Sequence, residues 1–386
     1  MALAIKTAKT SKIKINQENQ TANASYFFAG ANSGAGFQNL FPDLLDMDLN
    51  NWLDFIILKG GPGVGKNTFM REIGKSMQDA GFQVEYILCS GDPDSLDGVI
   101  VPELRCAVAD GTSPHILEPK YPAAVDRYLN LGKFYDITAA KTDAEAIQNY
   151  TKAYQAAYRR AYQAFRAARQ VELTAAAVVN FDKTRAERRF QGVLKRELRY
   201  YNKNKNTRSG EYPGEYGRVT RRFLGSVTYQ GYIWRFDSVE NLASRIYEIR
   251  DRFGFAGKYL KRLQNAAIAR GWDVISCVSP EEPERIEHII IPGLNLAFIT
   301  TRPNMEYNNN LKPFRRIRLD ALLETQDRSP RLELRMADAL REEGIAALRD
   351  AKREHDHLEA VYNPYVDFDG VRALAALETG RWLSFR

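Results

Sequence analysis

The stretch that most constrains this chain is Gly60-Gly61-Pro62-Gly63-Val64-Gly65-Lys66-Asn67-Thr68. It fits the phosphate-loop pattern G-x-x-x-x-G-K-[ST] at every fixed position except the last. Before it, Phe55-Ile56-Ile57-Leu58 reads as a buried strand. After it, Phe69, Met70, Ile73 and Met77 recur at three- and four-residue spacing, which predicts an amphipathic helix. Glycines between a strand and a helix let the backbone curl until its N–H groups face an anion, and the helix N-terminus adds partial positive charge. Gly60, Gly61, Pro62, Gly63, Val64 and Gly65 are therefore candidate cradle residues, with Lys66 on the outer phosphates and Thr68 on the inner one. The ligand this implies is ATP, or another nucleoside triphosphate, with Mg²⁺.

Asn67 is the departure. In phosphate-loop proteins the hydroxyl directly after the lysine sits on the metal. Asn67 offers a carbonyl oxygen on a longer side chain, whereas Mg²⁺ demands near-ideal octahedral geometry, and Thr68 comes one residue late. Nucleotide binding is thus better supported than efficient phosphoryl transfer, with Asn67 and Asp110 as the candidate metal ligands. Asp110 follows the apolar run 104–109, the position of an acid that holds magnesium directly or through water; the alternative is an ordinary Asp-Gly turn. Asp92, Asp94 and Asp97, after a second expected strand at 84–89, are either substrate or metal ligands or turn and cap residues. The glycine-rich residues 26–37 read as a nucleotide lid or as a plain loop.

At 386 residues the chain has room for two or three domains. No apolar run approaches the roughly 18 residues that span a bilayer, which argues against a membrane segment. Residues 1–25 read as a flexible tail rather than a secretion signal, and three scattered cysteines form no disulfide framework, so a cytoplasmic location is expected. Residues 181–222 hold 13 Lys/Arg against 5 Asp/Glu, enough to carry the whole net charge of +7.

The chain then begins again. Gly81, Val84, Pro93, Ile100, Pro102, Leu104 and Ala107 recur 190 residues later as Gly271, Val274, Pro283, Ile290, Pro292, Leu294 and Ala297. In the second copy the loop reads Arg252-Phe253-Gly254-Phe255-Ala256-Gly257-Lys258-Tyr259, about two residues short, and the strand corresponding to 104–109 ends in Thr300-Thr301 rather than an acid. The expected fold is α/β: two tandem phosphate-loop domains, each a parallel sheet flanked by helices and each with a helical extension. The expected segments are 1–25 (tail), 26–141 (nucleotide-binding), 142–222 (helical and basic, with a polar linker at 202–217), 223–304 (degenerate copy) and 305–386 (helical). Tyr150, Tyr154, Tyr158 and Tyr162 with Phe165 read as a packing stripe, and His355 and His357 as surface residues.

The blocks Phe27-Phe28-Ala29-Gly30-Ala31-Asn32, Leu58 to Lys66, Asp94-Ser95-Leu96-Asp97-Gly98-Val99-Ile100 and Asp110-Gly111-Thr112-Ser113-Pro114-His115 resemble a poorly characterised family of bacterial tandem P-loop ATPases. The resemblance covers nearly the whole chain after Ser25. It implies an ATP-binding fold, makes Asp97, Asp110 and His115 residues to test, and supplies no substrate. Both halves are usually intact in that family; this chain departs at Asn67 and in its second loop.

Three functions follow. The first is a weak ATPase or phosphotransferase, with Lys66 and Asp110 catalytic and Arg185 or Arg189 completing the site in cis or in trans. The second is a nucleotide-gated module whose basic segment docks nucleic acid or a protein. The third is an assembly component or homo-oligomer that holds ATP without turnover.

Overall fold

The computed structural model describes residues 24–44, 46, 51–198, 216–302, 305, 312–325 and 330–385. The expected tail and most of the expected linker at 202–217 lie outside them; Ala24 and Ser25 already belong to a strand.

The first half is built on eight strands: β1 (Ala24–Phe28), β2 (Gly30–Ser33), β3 (Gly36–Asn39), β4 (Asp54–Lys59), β5 (Val84–Leu88), β6 (Leu96–Val101), β7 (Cys106–Asp110) and β8 (Asp126–Asn130). Six of them form one sheet in the order β1-β5-β6-β7-β4-β8, while β2 and β3 make a separate hairpin. The sheet is mixed rather than parallel, because β6 runs antiparallel to both β5 and β7. The reason is connection length. Parallel neighbours need a crossover of a dozen or more residues, and β6 reaches β7 through a single helical turn at Pro102–Leu104. Phe55, Ile56, Ile57 and Leu58 are buried, as expected for a central strand covered on both faces.

The second half repeats this with β10 (Val219–Arg222), β11 (Gly225–Thr228), β12 (Gly231–Trp234), β13 (Arg245–Arg250), β14 (Val274–Val278), β15 (Ile286–Ile291), β16 (Leu296–Thr301) and β17 (Arg315–Arg318), in the sheet order β10-β14-β15-β16-β13-β17. The repeat extends to irregularities. A register shift at Ile87/Leu88 recurs at Cys277/Val278, and the left-handed Arg105 recurs as Asn295. The second sheet oversteps the expected limits 223 and 304, beginning at Val219 and ending at Arg318. The halves meet at equivalent residues: Phe28 N–H donates to Phe223 O at 2.9 Å and Phe223 N–H to Phe28 O at 2.8 Å. A reciprocal pair of this kind is what a local twofold relation produces.

Among the described residues, besides two single-turn helices at Phe41–Leu44 and Ile137–Ala140, seven longer helices accompany the sheets: α1 (Lys66–Asp79), α2 (Ala144–Ala177), α3 (Lys183–Glu197), α4 (Phe236–Leu242), α5 (Gly257–Ile268), α6 (Arg331–Tyr362) and α7 (Phe368–Leu383). The long helices α2 and α6 pack against each other, with Phe165 lying where a side chain on Gly344 would stand. Tyr158 and Tyr162 join Phe165, Ile345 and Leu348 there, so the tyrosine stripe is packing. Tyr150 and Tyr154 meet the rings of His357 and His355, both partly exposed.

The halves exchange their last helices. Helix α7 packs on α1 of the first half: Val371, Ala375 and Trp382 share a core with Phe69, Met70 and Ile73. Trp382 Nε1 donates to Asp54 Oδ2 at 2.7 Å, and Arg127 bridges Asp54 (2.9 Å) and Glu378 (2.6 Å). Reciprocally, α3 packs on α5 of the second half, where Phe190 stacks on Tyr259 at 4.5 Å. A short strand after α2, β9 (Val179–Phe181), pairs with β18 (Leu323–Thr325). Helix α3 thus clamps the opposite half, while α2 also holds its own half through Tyr162 to Asn32 (3.1 Å) and Arg166 to Gly34 (3.0 Å). Among the described residues no helix is long and apolar enough to cross a membrane.

Candidate functional site

Residues 60–65 leave β4 and enter α1 directly. Gly60, Gly63 and Gly65 hold φ of 151°, 72° and 91°, a backbone open to glycine and strained for other residues. Lys66 starts the helix and folds back: its Nζ donates to Gly60 O at 2.7 Å and Gly61 O at 3.1 Å and lies 3.5 Å from Asp110 Oδ2. The parallel pairing of β4 with β7 sets Asp110 beside Leu58, which brings the acid to the loop. Asp110 Oδ1 accepts from both Thr112 N–H (2.8 Å) and Thr112 Oγ1 (2.6 Å), leaving Oδ2 toward Lys66. An anion at the loop would have Lys66 to recruit and Asp110 to position a cation.

Asn67 is held differently from a metal ligand. Its Oδ1 accepts from Leu96 N–H and from Arg71 Nε, both at 3.1 Å, so the amide oxygen ties α1 to the start of β6. Thr68 makes no hydrogen bond through its side chain among the described residues. Asp92 and Asp94 behave as turn and tether groups: Asp92 accepts from Ser95 Oγ at 3.1 Å and pairs with Lys352 at 3.5 Å, and Asp94 accepts from Gln230 at 3.3 Å. Arg71 donates to the Asp94 carbonyl, locking the same loop.

Asp97 and His115, which the alternatives above left open, form a buried pair. His115 Nε2 lies 3.3 Å from Asp97 Oδ2, off the line of a good hydrogen bond, and His115 Nδ1 has no partner. Burial pulls the imidazole down, but Asp97 and, further off, Asp110 outweigh it, so its pKa is raised. The ring sits against Phe41 and Phe37. Residues 26–37 are neither lid nor loop: they are strand and hairpin, and Asn32 joins both halves through Ser90 O (3.1 Å) and Val227 O (3.0 Å).

Sequence reasoning missed the roof of the loop. Tyr135 donates to Pro62 O at 2.6 Å. A Cβ on Gly63 would lie 3.0 Å from Asn363 Oδ1, and one on Gly65 would lie 3.2 Å from Val371. The second half's extension therefore presses on the first half's loop, an arrangement that helical periodicity does not encode. Arg185 and Arg189 lie on α3, which docks on the second half; Arg185 pairs with Asp182 and Arg189 donates to Arg318 O. Neither reaches the first loop within this chain.

The second loop follows the same path with different contents. It also spans six residues, 251–256, before α5, and Gly254 keeps the left-handed turn of Gly63 at φ 78°. It is not short. Lys258 falls opposite Asn67 rather than Lys66, and its ammonium rests over Tyr259. The place of Gly60 is taken by Asp251, whose buried carboxylate accepts Ala256 N–H at 2.6 Å and Phe253 N–H at 3.3 Å. Burial raises its pKa against those hydrogen bonds. Arg285 fills the space under Gly254 and Gly257 and pairs with Glu287 at 3.4 Å. The loop carries its own anion.

A cavity of about 50 Å³ also lies between the halves, lined by Asn32 and Glu172 of the first and by Tyr232, Trp234, Arg252 and Glu281 of the second. It has room for a few water molecules and not for a nucleotide. Arg302 and Arg341 are already paired there, with Glu287 at 3.0 Å and Glu172 at 2.8 Å. No group of His, Cys, Asp and Glu among the described residues is arranged to hold a metal alone. Compared with protein-family models, curated proteins and solved structures, the chain gives no match.

Proposed function

We propose that the first half is a nucleoside-triphosphate site of the phosphate-loop kind and that the chain holds nucleotide with slow or no turnover. The observation that carries this is the combination at one loop of three left-handed glycines, a 14-residue helix starting at Lys66, and Asp110 at 3.5 Å from the lysine. In this reading the N–H groups of Gly61, Gly63, Val64 and Gly65 together with Lys66 bind the β- and γ-phosphates, and ATP is the ligand the family resemblance favours. A bound Mg²⁺ would neutralise charge on the phosphates, with Asp110 Oδ2 as the residue to hold it. Asn67 adds nothing to that ion while its oxygen serves Leu96 and Arg71.

Slow turnover follows from two observations. The residue after the lysine is engaged in structure, and neither arginine suggested for charge stabilisation lies at the loop. The tandem P-loop ATPase family, a cytoplasmic setting and the degeneracy of the second site belong to the same proposal. Titration with a fluorescent ATP analogue, with Mg²⁺ and with EDTA, tests it together with steady-state hydrolysis. Micromolar binding that Lys66→Ala weakens by about 10–100-fold is expected, a loss of one charge-assisted contact. Asn67→Ser should raise hydrolysis. Absence of binding in the unsubstituted chain contradicts the proposal.

A further inference from the structure

The outer edge of the second sheet carries a different chemistry. Strand β17 is the edge strand, and Arg315, Arg316 and Arg318 on it are exposed. Its parallel register with β13 sets Arg318 directly beside Arg250 and Arg316 beside Glu248. Like charges directly opposite each other destabilise a strand pair unless a counter-charge sits between them. Two buried carboxylates organise the neighbours. Glu248 holds Arg250 (3.2 Å) and Arg316 (2.6 Å), and Glu197 holds Arg196 (3.0 Å) and Arg245 (3.1 Å). Six arginines therefore surround two acids, and Arg315 and Arg318 have no acidic partner among the described residues. Each of the four paired arginine side chains keeps roughly half of its surface exposed, from 42% for Arg196 to 49% for Arg316.

The corresponding edge of the first sheet is neutral. There Arg127 on β8 is shared by Asp54 and Glu378. The arginine cluster is thus a property of one edge, not of the fold. Phe314, 48% exposed, precedes the arginines and lies under the guanidinium of Arg315. Arginine forks suit phosphate oxygens, and an exposed ring beside them suits a base face.

We propose that this edge binds single-stranded nucleic acid, with the arginines on the backbone and Phe314 on a base. The surface is independent of the nucleotide loop. The alternative is that exposed charge only keeps an edge strand from pairing with another chain. Fluorescence anisotropy of a labelled oligothymidylate of about 20 nucleotides, with the full chain, decides between them.

Binding at about 50 mM salt is expected, falling by about 50-fold at about 200 mM if some four phosphates are neutralised. The double substitution Arg315→Glu/Arg318→Glu, at side chains without an acidic partner among the described residues, should cut affinity at least about 10-fold with a little-changed circular dichroism melt. Phe314→Ala should weaken binding by about 5-fold or more. Lys66→Ala should leave it unchanged. No binding at low salt, indifference to the double substitution, or loss with Lys66→Ala would overturn the proposal. Tighter binding of polyglutamate than of the oligonucleotide would overturn it in favour of an acidic protein partner.

Discussion

The two loops at residues 60–65 and 251–256 share length, strand and helix context, and a left-handed glycine at the same place. They differ in what meets their N–H groups. In the first, glycine at the loop's start leaves a cradle open and Lys66 folds onto the loop carbonyls. In the second, Asp251 stands at that start and its carboxylate takes the N–H groups of Phe253 and Ala256. The backbone can therefore hold the same loop shape without a ligand, because buried N–H groups need a partner and a side chain supplies one. The presence of such a loop is not evidence of a ligand. An open cradle with a lysine at the helix start is.

The exchange of α3 and α7 gives the first way to break this comparison. Arg127→Met removes the cation shared by the buried carboxylates of Asp54 and Glu378, leaving Asp54 with Trp382 and Arg381, and a loss of about 3–5 kcal/mol in chemical denaturation is expected. The matching change on the other half, Arg196→Met, leaves Arg245 on Glu197 at a solvent-exposed edge and should cost only about 1 kcal/mol. Equal losses would mean that the two clamps are not built differently.

The two buried histidines tilt stability in opposite directions. Burial lowers the His288 pKa to about 4 from 6.5, so the unfolded chain takes up a proton first as pH falls. Its contribution is present above pH 6.5 and lost toward pH 4, roughly 3 kcal/mol in all. His115 is raised, so its contribution is present below pH 6.5 and lost as pH rises through its folded value. Relative to the unsubstituted chain, His288→Gln should lose less stability on acidification and His115→Gln should lose less on raising pH. Parallel curves for both variants would remove the distinction between the two sites.

A smaller effect sharpens the loop comparison itself. Asp251→Asn keeps the shape and removes the charge that the loop N–H groups and Arg285 face, with an expected loss of about 1–3 kcal/mol. It should not create nucleotide binding, because Gly257 and not a lysine starts α5. A second nucleotide site appearing in this variant would show that Asp251 alone had closed it.

Much of this was legible in the residues. The offset of 190 carried over to strands, turns and even the register shift between Ile87 and Leu88, because glycine, proline and β-branched positions dictate local backbone. Strand β6 was hidden because Asp97 and Gly98 interrupt its apolar run, and its antiparallel direction followed from a short connection rather than from composition. Asp251 carried no signal of its role, since nothing local to one Asp says which N–H groups will find it. The exchanged helices were not legible at all. The face that α7 buries, Val371, Ala375, Glu378 and Trp382, is not marked by an apolar stripe and says nothing about which half covers it.

The most direct measurement is the number of nucleotides bound per chain, by calorimetric titration of ATP with Mg²⁺. The structure of the two loops predicts one, abolished or strongly weakened by Lys66→Ala and untouched by Lys258→Ala. Two sites per chain, none, or a single site that depends on Lys258 would contradict the account.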